Sequence, residues 1–177
     1  MKMCFCEDII NQNNKTQLLI LQDPEETSHY LNTGIMAKLS FTNIEVILTN
    51  KISSPLLEKK VKKFNTPTLL YPETEGSNSS KNIIRTDLLI VLDGTWRKAK
   101  RILKLFPFLN DLPRLSITNH FDKKYTLRKS NSELQYSTLE AITYALNKIE
   151  NKDFSSCLKI LEKQIEKQTL FIPNKLE

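Results

Sequence analysis

Residues 87–92 read Asp-Leu-Leu-Ile-Val-Leu, an apolar run of strand length with no polar alternation. A strand of this kind has to bury both faces, as the strands of a parallel sheet covered by helices do. Runs of similar character stand at 16–21 (Thr-Gln-Leu-Leu-Ile-Leu), 44–48 (Ile-Glu-Val-Ile-Leu) and 68–71, and residues 113–117 are a further candidate. Between them lie segments of helical period. Residues 35–41 suit a short helix. Residues 56–64 place Leu57, Val61 and Phe64 on one side and Lys59, Lys60, Lys62 and Lys63 on the other. In 96–106, Ala99, Ile102, Leu103 and Phe106 form an apolar stripe at i, i+3, i+4 and i+7. Ser137-Thr138-Leu139-Glu140 is a capping box opening a helix that runs to about residue 149. A last helix over about 154–167 would bury Phe154, Leu158, Leu161 and Ile165. Residues 23–32 and 73–82 are polar and loop-like, the second the better candidate for a mobile loop. Strands alternating with helices predict one α/β domain over 1–177 with a mainly parallel sheet, an N-terminal segment at 1–15 and a C-terminal helix within 151–177.

Scarce residues narrow the chemistry. The three glycines, Gly34, Gly76 and Gly94, lie too far apart for a dinucleotide-binding G-x-G-x-x-G loop or a phosphate loop. His29 and His120 are the two histidines, too few for a His-rich metal centre. Cys4, Cys6 and Cys157 cannot build a disulfide framework, which points to a reducing compartment. No apolar run approaches membrane-span length, and the first residues carry no secretory h-region. The expectation is a cytoplasmic protein without membrane partners. Lys and Arg number 26 against 20 Asp and Glu, and the resulting +6 favours polyanionic partners.

The segment Leu92-Asp93-Gly94-Thr95-Trp96-Arg97-Lys98-Ala99 joins the most buried strand to a helix. In open α/β sheets, ligands bind beyond the carboxyl ends of the strands, where this segment falls. Gly94 permits a sharp turn and Thr95 is a plausible N-cap. The Asp93 carboxylate is suited to act as a general base, although capping and turning the chain would equally explain Asp93 and Thr95. Arg97, Lys98, Lys100, Arg101 and Lys104 put five bases into eight residues with no acid among them. Bases in a first turn oppose the helix dipole, so their placement makes sense beside a bound anion such as a nucleic-acid backbone. A solvated polar face is the plainer explanation of any single lysine.

Asp93-Gly94-Thr95-Trp96-Arg97-Lys98-Ala99 resembles the D-x-T-W-x-x-A signature of the DTW-domain family, the tRNA-uridine aminocarboxypropyltransferases. Leu21-Gln22-Asp23-Pro24-Glu25-Glu26 with Asn32-Thr33-Gly34 is similar to the family's N-terminal loop. Leu112-Pro113-Arg114-Leu115-Ser116 resembles the segment after its motif helix. Tyr125-Thr126-Leu127-Arg128, Leu134 and Ser137-Thr138-Leu139-Glu140-Ala141 resemble its closing motif. The likeness spans about residues 4–149, in order.

This resemblance implies a knotted, SPOUT-like α/β fold and S-adenosylmethionine as cofactor. It implies transfer of the 3-amino-3-carboxypropyl group to N3 of a tRNA uridine, with release of methylthioadenosine. Asp93, Thr95 and Trp96 would serve the reaction, and Thr33, Leu92, Leu115, Ser137 and Thr138 would line the cofactor pocket. Arg97, Lys98, Lys100, Arg101, Lys104 and Arg128 would meet tRNA. For Trp96, a lone tryptophan beside an apolar helix stripe, packing is the expected role. Related knotted enzymes are often dimers, so a homodimer is a further implication. The family's additional N-terminal cysteines are missing here. Cys4 and Cys6 alone cannot complete a tetrahedral site, so either a dimer or other residues supply ligands or the metal is lacking, and no metal is the expectation. An RNA methyltransferase on the same fold and a non-catalytic RNA-binding protein are the competing functions.

Overall fold

Leu88, Leu89 and Ile90 are at most 1% exposed and Val91 is 4% exposed, because their strand is the middle one of the sheet. The computed structural model describes residues 8–28, 32–73, 85–117 and 136–169. Among these, β1 (Gln17–Gln22), β2 (Ile44–Leu48), β3 (Pro67–Leu70), β4 (Leu88–Asp93) and β5 (Arg114–Leu115) form one sheet. The order is β2-β1-β4-β3-β5, and every pairing is parallel. The helices are α1 (Thr33–Ser40), α2 (Ser54–Val61), α3 (Trp96–Leu105), α4 (Thr138–Glu150) and α5 (Lys159–Thr169).

Strand parity sorts the side chains into two cores. Leu18 and Ile20 of β1 and Leu89 and Val91 of β4 pack with α1, α4 and α5. Leu19, Leu21, Leu88 and Ile90 pack on the opposite face with α2 and α3. Each such fully buried leucine or isoleucine stabilises the fold by about 1.5–3 kcal/mol relative to leaving it in water. The expected α/β class and parallel sheet are therefore present.

Two neighbouring strands send their chains in opposite directions. From β1 the chain crosses by α1 to β2 at one edge, and from β4 it crosses by α3 towards β5 at the other. The carboxyl ends of β1 and β4 thus flank the topological switch point, where an α/β sheet opens a crevice. The register pairs Gln22 with Asp93 at these ends. Both follow the parity of the α1/α4 face, so their side chains lie under the N-termini of those helices.

Some boundaries differ from the sequence expectation. Helix α1 starts two residues before the expected position because Asn32 caps it, its Oδ1 accepting from the Ile35 N–H at 3.0 Å. Residues Pro24–Ser28 of the expected loop form a 3-10 turn. The strand expected over 113–117 shortens to the two residues of β5. The expected helix over 154–167 is broken: Ser155–Leu158 is a 3-10 turn before α5. Its entry is tightened by Asp153, which accepts from the Ser155 N–H, and by Asn147, which accepts from the Phe154 N–H, both at 2.8 Å. Phe154, Leu158 and Leu161 are buried as expected. The expected knot depends on the whole path of the chain, and residues 74–84 and 118–135 lie outside the described residues, as does most of the expected mobile loop.

Candidate active site

Asp93 ends the central strand and is 5% exposed. Its Oδ1 accepts from Thr138 Oγ1 at 2.5 Å and its Oδ2 from Gln22 Nε2 at 2.6 Å. A Cβ added to Gly34 would stand 2.5 Å from Asp93 Oδ2 and 2.9 Å from Gln22 Nε2. Only glycine therefore lets the carboxylate lie this close to the first turn of α1. Burial pushes the Asp93 carboxyl above its ordinary value, and the nearby Glu26 charge adds to this. The hydrogen bonds from Thr138 and Gln22 and the Lys98 charge pull the other way without cancelling it.

Three helices start at the same place. Asn32 caps α1, Thr95 caps α3 by accepting from the Lys98 N–H, and Ser137 caps α4. The Ser137 box is complete: its Oγ accepts from the Glu140 N–H at 3.3 Å, and Glu140 Oε2 accepts from the Ser137 N–H at 2.7 Å. These termini surround a cavity of about 810 Å³, within the range of small-molecule sites. Leu70, Val91, Leu92, Leu115, Ile117 and Ala141 make its apolar walls, and Asp93 and Glu26 its acidic groups. Gly94 turns the chain at its edge with φ +150°, in the region that favours glycine, and a Cβ there would meet Lys98 Cβ at 2.9 Å.

The rim is aromatic and charged. Trp96 is 50% exposed and meets the Tyr71 ring edge-on, centroids 5.8 Å apart. The Arg114 guanidinium lies over the other ring, 5.3 Å from the Tyr71 centroid. Burial raises the Tyr71 phenol above its ordinary value, with Arg114 opposing. Beside them, Lys98 pairs with Glu26 at 2.7 Å and with Glu25 at 3.3 Å. Arg101 pairs with the buried Asp23 at 2.5 Å and with Glu25 at 3.2 Å. Burial pushes Asp23 up, but the Arg101 guanidinium, the Glu25 N–H and the Lys98 ammonium together hold it below its ordinary value.

Asp93, Thr95, Trp96, Thr33, Leu92, Leu115, Ser137, Thr138, Arg97 and Lys98 all line the one cavity. Trp96 is half-exposed at the mouth and packs edge-on against Tyr71, outside the apolar stripe of α3, which begins only at Ala99. Lys100, Arg101 and Lys104 run away from the cavity along the exposed face of α3. Arg101 and Lys104 border a second, open groove of about 490 Å³ with Asp23 and Asn50. Lys98 and Arg101 have acidic partners that their own helix did not reveal. Arg128, Cys4 and Cys6 lie outside the described residues. Among the described residues, no group of three His, Cys, Asp or Glu side chains is placed to hold a metal ion, and no helix is long and apolar enough to cross a membrane. Sequence reasoning missed Gln22, Asn32, Gly34 and Tyr71 as members of the site. Gln22 and the Asn-Thr-Gly run carried a signal only through the family likeness, and Tyr71 carried none.

A doubly covered parallel sheet with a buried carboxylate and three helix N-termini at its switch point defines an α/β protein with a cavity at the carboxyl ends of its strands. Residues 1–170 match the DTW domain, and the chain belongs to the DTW-domain family. It is also similar to a protein of Macaca fascicularis named tRNA-uridine aminocarboxypropyltransferase 2, at 26% identity over 164 residues. That match covers 86% of this chain and 55% of the relative, so the chain spans about half the relative's length. No solved structure matches the chain.

Proposed function

We propose that this chain transfers the 3-amino-3-carboxypropyl group of S-adenosylmethionine to N3 of a uridine in tRNA, releasing methylthioadenosine. The observation that carries the proposal is Asp93, a buried carboxylate on the floor of the cavity that all the family-implied cofactor residues line. The cavity suits the cofactor. Leu92, Leu115 and Ala141 offer apolar walls for an adenine, the first turns of α4 and α1 at Thr138 and Thr33 offer N–H groups to a carboxylate, and Ser137 holds the α4 terminus in place through its capping box. Asp93 and Glu26 offer negative charge to a cationic centre. When bound, the sulfonium supplies an activated carbon whose bond to sulfur breaks as the bond from N3 forms.

Uridine N3 is a weak nucleophile while it keeps its proton, and Asp93 accepts that proton. Each Asp93 oxygen has two acceptor positions, so the bonds from Thr138 and Gln22 leave room for the substrate. A carboxyl raised by burial is a stronger base than a solvated one, and a positioned base contributes about a hundredfold to ten-thousandfold. Trp96, exposed at the mouth, meets the incoming nucleoside. Arg97, Lys100 and Lys104 stand at i, i+3 and i+7 on α3 and lead from the mouth along an exposed face, a track for the tRNA backbone. Thr95 holds the start of α3, and with it Trp96, in place.

The test is incubation of the purified protein with unmodified tRNA and S-adenosylmethionine, resolving the products by mass. Methylthioadenosine and a uridine heavier by the aminocarboxypropyl group, both lost in Asp93→Ala, are the expected result. Adenosylhomocysteine would make the protein a methyltransferase, and tRNA binding with neither product would make it a binding protein.

A further inference from the structure

Gln22 lies behind the cavity wall, 3% exposed, and does not line the cavity. Its Nε2 carries two protons and both are used, one on Asp93 Oδ2 at 2.6 Å and one on Asn32 Oδ1 at 3.0 Å. The amide of Asn32 is itself fixed by backbone groups of opposite polarity. Its Oδ1 accepts from the Ile35 N–H at 3.0 Å, and its Nδ2 donates to the Glu26 carbonyl at 2.9 Å. Asn32 therefore cannot flip without losing both bonds, and Gln22 cannot flip without setting its Oε1 against an acceptor on each side. The polarity of two backbone groups is relayed through two amides to one carboxylate oxygen. Gly34 closes the opposite side, where a Cβ would occupy the space that Asp93 Oδ2 and Gln22 Nε2 share.

We infer that Gln22 is a positioning residue for the transfer: locked by Asn32, it aims the Asp93 carboxylate into the cavity and presents Oδ2 with a donor at all times, without touching either substrate. This rests on the proposed role of Asp93 as proton acceptor. An amide that can only donate favours the ionised carboxylate, the form that accepts a proton. Gln22 thereby offsets part of the burial that favours the protonated form of Asp93. The charged groups that act on Asp93 from the neighbouring elements are Glu26, from the turn after β1, and Lys98, from α3. Neither is altered by a change at Gln22.

The experiment uses Gln22→Met, which keeps the length of the side chain and removes its donors. The Asp93 carboxyl is followed by carbon-13 NMR in the full chain without ligands, assigned by its absence in Asp93→Asn. The expected result is a titration displaced to higher pH. The acidic limb of the pH profile for transfer from S-adenosylmethionine to unmodified tRNA moves the same way. At neutral pH kcat falls about tenfold to a hundredfold, as for loss of one hydrogen bond to a charged group, and both KM values stay within about twofold. Should Gln22→Met fail to fold, Gln22→Glu keeps the shape and donates one hydrogen bond while protonated. It predicts a rate that falls again as pH rises and the shared proton is lost. An unmoved Asp93 titration in the folded variant overturns the inference and leaves the role of Asp93 to be judged by Asp93→Asn. A displaced titration with an unmoved pH profile removes Asp93 from the reaction and overturns both.

Discussion

Thr138 Oγ1 donates to Asp93 Oδ1 at 2.5 Å and so ties the first turn of α4 to the end of β4, 45 residues earlier in the chain. Valine has the shape of threonine without the hydroxyl. Thr138→Val leaves Oδ1 without that donor in a buried setting and should cost about 1–3 kcal/mol of stability. Urea unfolding measures it, and the Asp93 carboxyl should titrate at still higher pH in the variant.

Asp93→Asn separates stability from activity. The Asp93 carboxyl is raised above 3.8 by burial, so the folded chain binds its proton more tightly than the unfolded chain does. Its contribution to stability is then present below the unfolded value and lost as pH rises through the folded one. Asparagine fits the same place: its oxygen accepts from Gln22, and its NH₂ donates to the Thr138 hydroxyl, which can also accept. At pH 8 the variant should be at least as stable as the parent, an advantage that shrinks on acidification through the carboxylate range. Transfer should fall about a hundredfold or more. Asp23 runs the other way: held below 3.8 by Arg101, it contributes stability above that value and loses it as pH falls. The two effects are separated by repeating the titration in Asp93→Asn.

Gly34→Ala puts a methyl group 2.5 Å from Asp93 Oδ2 and 2.9 Å from Gln22 Nε2. Overpacking of this kind typically costs about 1–3 kcal/mol. Here it also displaces the carboxylate, so transfer should fall by more than the loss of folded protein explains. Calorimetry beside single-turnover rates checks this.

Trp96 is the single tryptophan of the chain and is 50% exposed at the cavity mouth. Its emission therefore reports on the cavity alone, and adding S-adenosylmethionine or tRNA should change its intensity or wavelength. Trp96→Ala should cost less than about 1 kcal/mol of stability, as for a surface position, while impairing transfer. An emission that responds to neither ligand would count against the cavity as the binding site.

Replacing Arg97, Lys100 or Lys104 by alanine should weaken tRNA binding and lower the slope of log affinity against log salt by about 0.7–0.9 for each contact removed. Arg101→Ala should behave differently. It strips the buried Asp23 of its guanidinium and should appear first as a loss of stability.

Local features of the fold were plain in the residues. The unbroken apolar run of β4, the stripe of α3 and the capping box at Ser137 are each set by neighbours a few positions away, and each stands as expected. What was hidden depends on which distant strands pair. The register that sets Gln22 beside Asp93 joins positions 71 residues apart, and the acids opposite Lys98 and Arg101 lie 72 to 78 residues earlier. Periodicity carries no information about such pairings. The partner of Trp96 was hidden in the same way, since its ring packs on Tyr71, 25 residues earlier in the chain. The break before α5 comes from Asn147 and Asp153 side chains that satisfy backbone N–H groups, a local competition that helical spacing alone does not register.

The Asp93 carboxylate and the three groups around it come from residues 22, 34, 93 and 138, so the site is spread over most of the chain. During synthesis the first three emerge well before the fourth. Until α4 docks, Asp93 lacks the Thr138 donor, and the part of the sheet face that α4 covers is open to water. A solvated aspartate is an ordinary weak base, so a chain ending at β5 has the signature residues without the raised proton affinity of Asp93. Docking of α4 completes the dehydration of the carboxylate, and the proposed base acquires its raised proton affinity only together with the completed fold.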